Sequence, residues 1–345
     1  MKPSFAKRSA TKMLSALGAF ILVPAMLASI SAVVMSPALI FTQAGTNTAM
    51  KAWNNIEVNL DVLSTQNASH VYFTDADGNR IATFYAEDRE EIASLDEVND
   101  ILIDAVLSTE DRRFYDGAAI DMIGTTRALI TGLGGGSGIV QQLAKLLCNE
   151  SGQCIGGDEE GTAMEDRSVI RKAVELKYAA ALIKEKSLDE ILIDYLNTAY
   201  FGNGAYGIKA AARRYFSTTP DELTLAQSAM LAGLLKSPSG YDPTQDMEAA
   251  VLRRDTVLNA MVDNEVIDQE EADEIFGQEV ELKTAKLPNG CAKSPYPYYC
   301  ETVRNQILTN SLFGPDEASR EAFFNQGGFT VKTALNPQMQ AVLKD

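Results

Sequence analysis

SLDEVNDILIDAVLSTEDRRFYD, residues 94–116, is where the chain changes its period. Val98, Ile101, Leu102, Ala105 and Val106 recur three and four apart, which places them on one face of a helix. Ser94 and Glu97 stand ahead of that face as a capping-box pattern. Helical patterns then continue to about residue 275, over 121–132, 139–148, 166–185, 188–197, 206–215, 223–235, 246–263 and 268–276. Only the glycine-rich run Gly132 to Gly138 and the loop Ser151 to Thr162 interrupt them. The stretch therefore predicts a mainly α fold with an all-α body over residues 94–280.

Outward on the N-terminal side the alternation is that of strands. Two short ones, about 70–75 and 80–86, are joined by Asp75-Ala76-Asp77-Gly78-Asn79, a sequence with strong hairpin chemistry. They fall in a linker-and-hairpin segment over 42–93. On the C-terminal side, residues 281–345 read as a linker. It contains Leu287-Pro288-Asn289-Gly290, a Pro/Tyr-rich turn from Pro295 to Tyr299, a helix near 301–312 and a strand from Phe329 to Leu335.

Further upstream, residues 14–41 carry no charge, a run longer than the roughly 20 residues that cross a hydrocarbon core. Lys2, Lys7, Arg8 and Lys12 precede it in a tail over 1–13, and no further Lys or Arg follows until Lys51. That asymmetry predicts a single-pass anchor in the cytoplasmic membrane, with the N-terminus inside and the remaining chain outside. A cleaved signal peptide competes, and the length of the run favours an uncleaved anchor.

Composition removes several mechanisms. A formal net charge of −17 argues against a nucleic-acid partner, which is bound by dominant clusters of Lys and Arg. One histidine, His70, is too few for a two-His zinc site and reads as structural within a strand. The cysteines form two close pairs, Cys148/Cys154 and Cys291/Cys300, neither with CxxC spacing. Outside the cytoplasm they would make two local disulfides; otherwise they are unrelated thiols.

Three segments carry chemistry. Glu110-Asp111-Arg112-Arg113-Phe114-Tyr115-Asp116 sets five charges and two aromatics after the first helix, where a carboxylate would take a proton from a hydroxyl nucleophile. In Gly134-Gly135-Gly136-Ser137-Gly138-Ile139-Val140-Gln141-Gln142-Leu143-Ala144-Lys145, a glycine-rich backbone opens a helix and offers free N–H groups to an anion. It lacks P-loop spacing. In the third, Arg167, Arg171 and Lys172 fall on neighbouring helical faces with Glu175 beside them. Together with Lys145 this local cationic patch suits a diphosphate.

In this order the motifs Glu-Asp-x-x-Phe-Tyr, Gly-Gly-x-Ser-x-Ile-x-Gln-Gln-Leu-x-Lys and Arg-Lys-x-x-Glu resemble the family 51 glycosyltransferase domain of class A penicillin-binding proteins. Asp189-Glu190-Ile191-Leu192, Tyr195-Leu196-Asn197, Gly204-Ala205-Tyr206-Gly207 and Arg253-Arg254 extend the likeness across roughly residues 70–275. The resemblance implies a lysozyme-like helical fold that polymerises lipid II into glycan strands at the outer face of the membrane. It implies Glu110 as general base and Glu175 as the carboxylate on the leaving-diphosphate side, in indirect or weak contact with a divalent metal, Mg2+ or Mn2+. Asp111, Phe114, Ser137, Gln141, Gln142, Lys145, Arg167 and Arg171 fall on substrate-binding or cleft-shaping positions. Lipid II, the growing strand, membrane lipids and other cell-wall synthesis proteins are the implied partners.

The sequence departs from the family pattern in places. Gly117 replaces the usual His of the first motif, Ser137-Gly138 replaces Ser-Thr, Leu146 replaces an Asn, and Ser187-Leu188 replaces a Ser-Lys pair. These changes keep a second reading open, a weakened member that binds lipid II as a scaffold. A third is a hydrolase with the same two-carboxylate logic. Gly327 to Leu335 resembles the linker towards a transpeptidase domain, expected here to be missing or truncated.

Overall fold

The computed structural model describes residues 70–116, 137–151 and 164–342, with Asn54, Ile56, Val58 and Asn59; the side chains of 150, 151 and 164–171 are excepted. The anchor run, the helix expected at 121–132 and Cys154 lie outside the described residues. Among the described residues no helix is long and apolar enough to cross a membrane.

The hairpin forms as its turn chemistry demands. Strands β1 (Val71–Thr74) and β2 (Arg80–Phe84) pair antiparallel. Asp75 Oδ1 accepts from the amides of Asp77 at 2.9 Å and Asn79 at 2.8 Å, and Gly78 supplies the positive φ of 95° that closes the turn.

One expectation fails just before the first helix. Ser94 makes no capping bond, and Leu95–Glu97 is a single 3₁₀ turn. Helix α1 (Asp100–Glu110) is instead capped by Asn99, whose Oδ1 accepts from Ile101 N at 3.0 Å. Val98 is extended and so breaks the chain between the two candidate caps. Glu97 accepts from Ala93 N at 2.7 Å and from Lys209 Nζ at 3.2 Å.

Beyond α1 come α2 (Ile139–Ser151), α3 (Met164–Glu185), α4 (Leu188–Thr198), α5 (Ile208–Phe216), α6 (Leu225–Leu234), α7 (Met247–Asp263) and α8 (Gln269–Asp273). Two-residue strands β3 (Asp88–Arg89) and β4 (Ala205–Tyr206) pair in parallel between them. Helix α6 is nearly all apolar and lies against both α1 and α7, while α2 packs on α3 and α4. One core holds these helices, with Leu102, Ile139, Leu143, Leu196, Leu231 and Leu258 within 0–1% of full burial. At about 25 cal/mol per Å² of apolar area, each such side chain contributes roughly 1.5–3 kcal/mol to holding α1, α2 and α7 together.

A second, smaller core joins two segments that read as separate linkers. Strand β5 (Phe329–Lys332) pairs parallel with β1, giving sheet order β2-β1-β5. Val71, Phe73 and Phe84 then pack on Ile307 of α9 (Pro297–Thr309), on Phe324 of α10 (Glu317–Gln326) and on Leu335. A lone two-stranded hairpin is marginal in water, and the distant strand and helices supply the apolar face it needs. The Cys291–Cys300 disulfide lies in this core, and a short helix α11 (Pro337–Val342) follows. Helices α10 and α11 are short and polar, which is why no periodic signal announces them.

A buried charge cluster joins the two parts. Asp88 of β3 accepts from His70 Nε2 at 3.1 Å and from Arg213 and Arg214 of α5. His70 Nδ1 meets the Tyr72 hydroxyl at 3.0 Å. Burial by itself would push the Asp88 carboxyl up; the His70 bond and the two guanidinium groups outweigh it and hold it below the usual range.

Candidate active site

Glu110 is the last residue of α1, and its position follows from that helix's apolar face. Leu102, Ile103, Ala105, Val106 and Leu107 bury themselves, so the helix end emerges against the start of α2 with the Glu110 side chain 12% exposed. Gln142 Nε2 donates to Glu110 Oε2 at 2.7 Å and also reaches Ser137 O at 3.1 Å. Tyr195 of α4 orients that amide by donating its hydroxyl to Gln142 Oε1 at 3.0 Å. Burial, then the charge of Glu110, raises the Tyr195 phenol well above its ordinary value, so it stays protonated and remains a donor.

The third motif meets the same place from α3. Lys172 Nζ donates to Ser137 Oγ at 2.6 Å and to Glu175 Oε2 at 3.1 Å, with Glu175 only 4% exposed. Lys172 Nζ is the donor in both bonds and so ties Ser137 to Glu175. Hydrogen bonds thus run unbroken from Glu110 through Gln142, Ser137 and Lys172 to Glu175. The path joins the two candidate carboxylates.

The remaining residues singled out in the sequence take varied places. Asp111 Oδ2 accepts from Ile139 N at 3.1 Å, across from α1 to α2. Gln141 is buried, and its Oε1 accepts from Gly138 N at 3.1 Å. Phe114 is buried in the helical core with its ring edge-on to Tyr115, centroids 4.9 Å apart. Lys145 is exposed on α2. The side chains of Arg167 and Arg171 lie outside the described residues, although both positions are in α3. Cys148 is disulfide-bonded, as are Cys291 and Cys300.

Two contributors carry no role in the sequence reading. Tyr195 is one. Arg253 is the other, with Nη2 3.9 Å from Glu110 Oε1 and Nε donating to Gly233 O at 3.2 Å. A signal was present: Ala250, Arg253, Val257 and Met261 share one stripe of α7, so a guanidinium on an otherwise buried face demands acceptors. Lys172 is recognised in the sequence as a member of the cationic cluster, but its link to Ser137 is a tertiary fact.

Among the described residues no group of three or more His, Cys, Asp or Glu could hold a metal ion. Glu175 accepts from Lys172; a single carboxylate of this kind would hold Mg2+ only together with substrate phosphates.

Over residues 77–262, more than half of the chain, the sequence matches the transglycosylase family. The chain belongs to the transglycosylase family. Its relatives include penicillin-binding protein 2a of Streptococcus pneumoniae, 34% identical over 252 residues, which are 72% of this chain and 32% of that protein. Penicillin-binding protein 1A of Mycobacterium tuberculosis is 33% identical over 280 residues, 76% of this chain and 32% of that one. Penicillin-binding protein 1F of Bacillus subtilis is 31% identical over 272 residues, 77% and 35% of the two chains. This transglycosylase chain thus spans about a third of the length of the curated relatives it matches. A crystal structure of penicillin-binding protein 1A from Haemophilus influenzae aligns with a TM-score of 0.39 at 23% identity, covering 81% of this chain and 28% of that one. The residues that these hydrogen bonds join, Glu110, Ser137–Gln142 and Lys172–Glu175, fall inside the matched span.

Proposed function

We propose that this chain is a peptidoglycan glycosyltransferase that lengthens glycan strands from lipid II. The observation that carries the reading is the continuous hydrogen-bonded path between Glu110 and Glu175, inside the span that matches the family. A general base is needed at one end of such a reaction and a cationic, donor-rich surface at the other.

In this reading the Glu110 carboxylate accepts the proton of the acceptor's sugar hydroxyl. The freed oxygen forms a bond to the anomeric carbon of the donor strand, and the bond from that carbon to the diphosphate breaks. The diphosphate leaves with the electron pair. Lys172, with Arg167 and Arg171 from the same helix, receives its charge, and Glu175 sets the position of Lys172. Gln142, pinned by Tyr195, keeps the Glu110 carboxylate aimed, and Arg253 tunes the field on its other oxygen. A divalent ion, if used, arrives with the diphosphate, because Mg2+ is held mainly by substrate phosphates and one or two carboxylates.

The anchor run and the charge asymmetry around it support a membrane-bound enzyme with its body outside. So do the disulfides, which persist in oxidising compartments.

The test is polymerisation of labelled lipid II by purified chain with Mg2+ present. Wild type makes polymer, and Glu110→Gln lowers the rate by about 10²–10⁴-fold, the usual worth of a positioned general base. Lipid II binding without polymer in the wild type would replace this reading with the scaffold one. Release of soluble muropeptides from finished wall would replace it with hydrolysis.

A further inference from the structure

Helix α2 begins without a cap of its own. Gly138 occupies the N-cap position, since its carbonyl accepts from Gln142 N at 3.0 Å, the first bond of the helix. Gln141, three residues on, reaches back to Gly138 N, which is the second half of a capping box. The first half needs a side-chain oxygen at the N-cap, and glycine has none. A different orphan amide is capped from elsewhere: Asp111 Oδ2 accepts from Ile139 N, the first amide of the helix, at 3.1 Å, across 28 positions of chain.

Backbone conformation does not call for glycine at 138, since its φ lies outside the left-handed range that the other constrained glycines occupy. Space calls for it. A Cβ placed on Gly138 would overlap Asp111 Oδ2 and stand 3.1 Å from Asp111 Cγ. Asp111 is the residue immediately after Glu110, and its own amide still bonds Leu107 O at 3.0 Å, closing α1.

We propose that Asp111 is a positioning residue: it caps α2 from the end of α1, with its carboxylate lying in the space beside Gly138 that a side chain there would enter. It thereby fixes Glu110 against Gln142. The clamp spans two elements, so it sets the distance between the carboxylate and the amide that aims it. Asp111 in this view acts through Glu110 and contacts no substrate, which departs from the substrate-binding place that family resemblance gives it. The catalytic part of the inference rests on the proposed glycosyltransferase reading; the clamp itself does not.

The experiment measures polymerisation, thermal unfolding and amide exchange on the full chain in detergent for five variants. Asp111→Ala lowers kcat on the order of 10- to 100-fold with KM little changed, the pattern of a misplaced group. Its Tm falls by about 2–4 °C, the worth of one lost cap in a domain of this size. Gly138→Ala behaves in the same way because it evicts the carboxylate. The Asp111→Ala/Gly138→Ala double variant is no worse than either single one. Asp111→Asn keeps an acceptor oxygen and recovers most of both losses. The decisive variant combines Asp111→Ala with Gly138→Ser, which gives α2 a hydroxyl cap of its own. Tm returns towards wild type, and kcat stays low because α1 and α2 are no longer tied.

Recovery of kcat in that last variant would reduce Asp111 to a helix cap and overturn the positioning role. Additive losses in the double alanine variant, or a raised KM in Asp111→Ala, would overturn the contact at Gly138. If the wild type makes no polymer, the glycosyltransferase reading fails separately. Faster exchange of the Ile139 amide and non-additive Tm losses would still establish the clamp, and their absence would sink it.

Discussion

Tyr195 shows how much of this site depends on one hydroxyl. Its phenol is buried beside Glu110 and donates to Gln142 Oε1, which leaves the amide nitrogen free for the carboxylate. Tyr195→Phe keeps the shape and removes the donor, so a buried amide oxygen loses its partner. The expected cost is about 1–3 kcal/mol in urea unfolding, with several-fold slower polymerisation and a KM close to wild type. Unchanged kinetics in that variant would mean that Gln142 is aimed by something else. Sequence spacing marks Tyr195 as part of a motif but does not say what it touches, because the partner lies 53 positions away.

At the scale of elements, the helices are set by their ends as much as by their faces. Helix α4 starts with a complete capping box in which Ser187 accepts from Glu190 N and Glu190 reaches back to Ser187 N. Ser187→Ala should lower stability by about 1 kcal/mol, read as a Tm loss of about 2–4 °C. A shift below 1 °C would show that tertiary packing alone holds α4. The pattern Ser-x-x-Glu is the same at Ser94, and there it fails, since an extended Val98 hands the cap to Asn99. Local signatures name candidates for a helix start; competition among neighbours chooses one. The sequence located α1 to within the 3₁₀ turn that precedes it, and located α2, α3 and α4 to within a few residues, because each carries a sustained apolar face.

At the scale of the whole molecule, the helical body and the small sheet meet through Asp88, His70, Arg213 and Arg214. The Asp88 carboxyl is held below its ordinary value, so the folded state binds its proton less readily than the unfolded chain does. The sign follows: its stabilisation is complete above the unfolded carboxylate value near 4 and is lost as pH falls through the lower folded value. Asp88→Asn should therefore be clearly less stable than wild type at pH 7, with the gap closing below about pH 4 as the wild-type group protonates. Urea midpoints taken from pH 7 to pH 2.5 measure this. A gap that stays constant across the series would show that Asp88 contributes by shape and not by charge.

The division between sequence and structure follows from range. Periodicity and capping act over a few residues, so the α-helical body, the hairpin turn at Gly78 and the order of the three motifs were legible from the chain alone. The chain also singled out Glu110 and Glu175 as candidates and showed the Gly138 departure. Contacts between residues far apart in sequence have no local signature, and they decided the rest. Folding linked the two candidate carboxylates through Gln142, Ser137 and Lys172, and put Arg253 beside Glu110. It also joined β1 to a strand more than 250 positions away and filled the space at Gly138 with the carboxylate of Asp111.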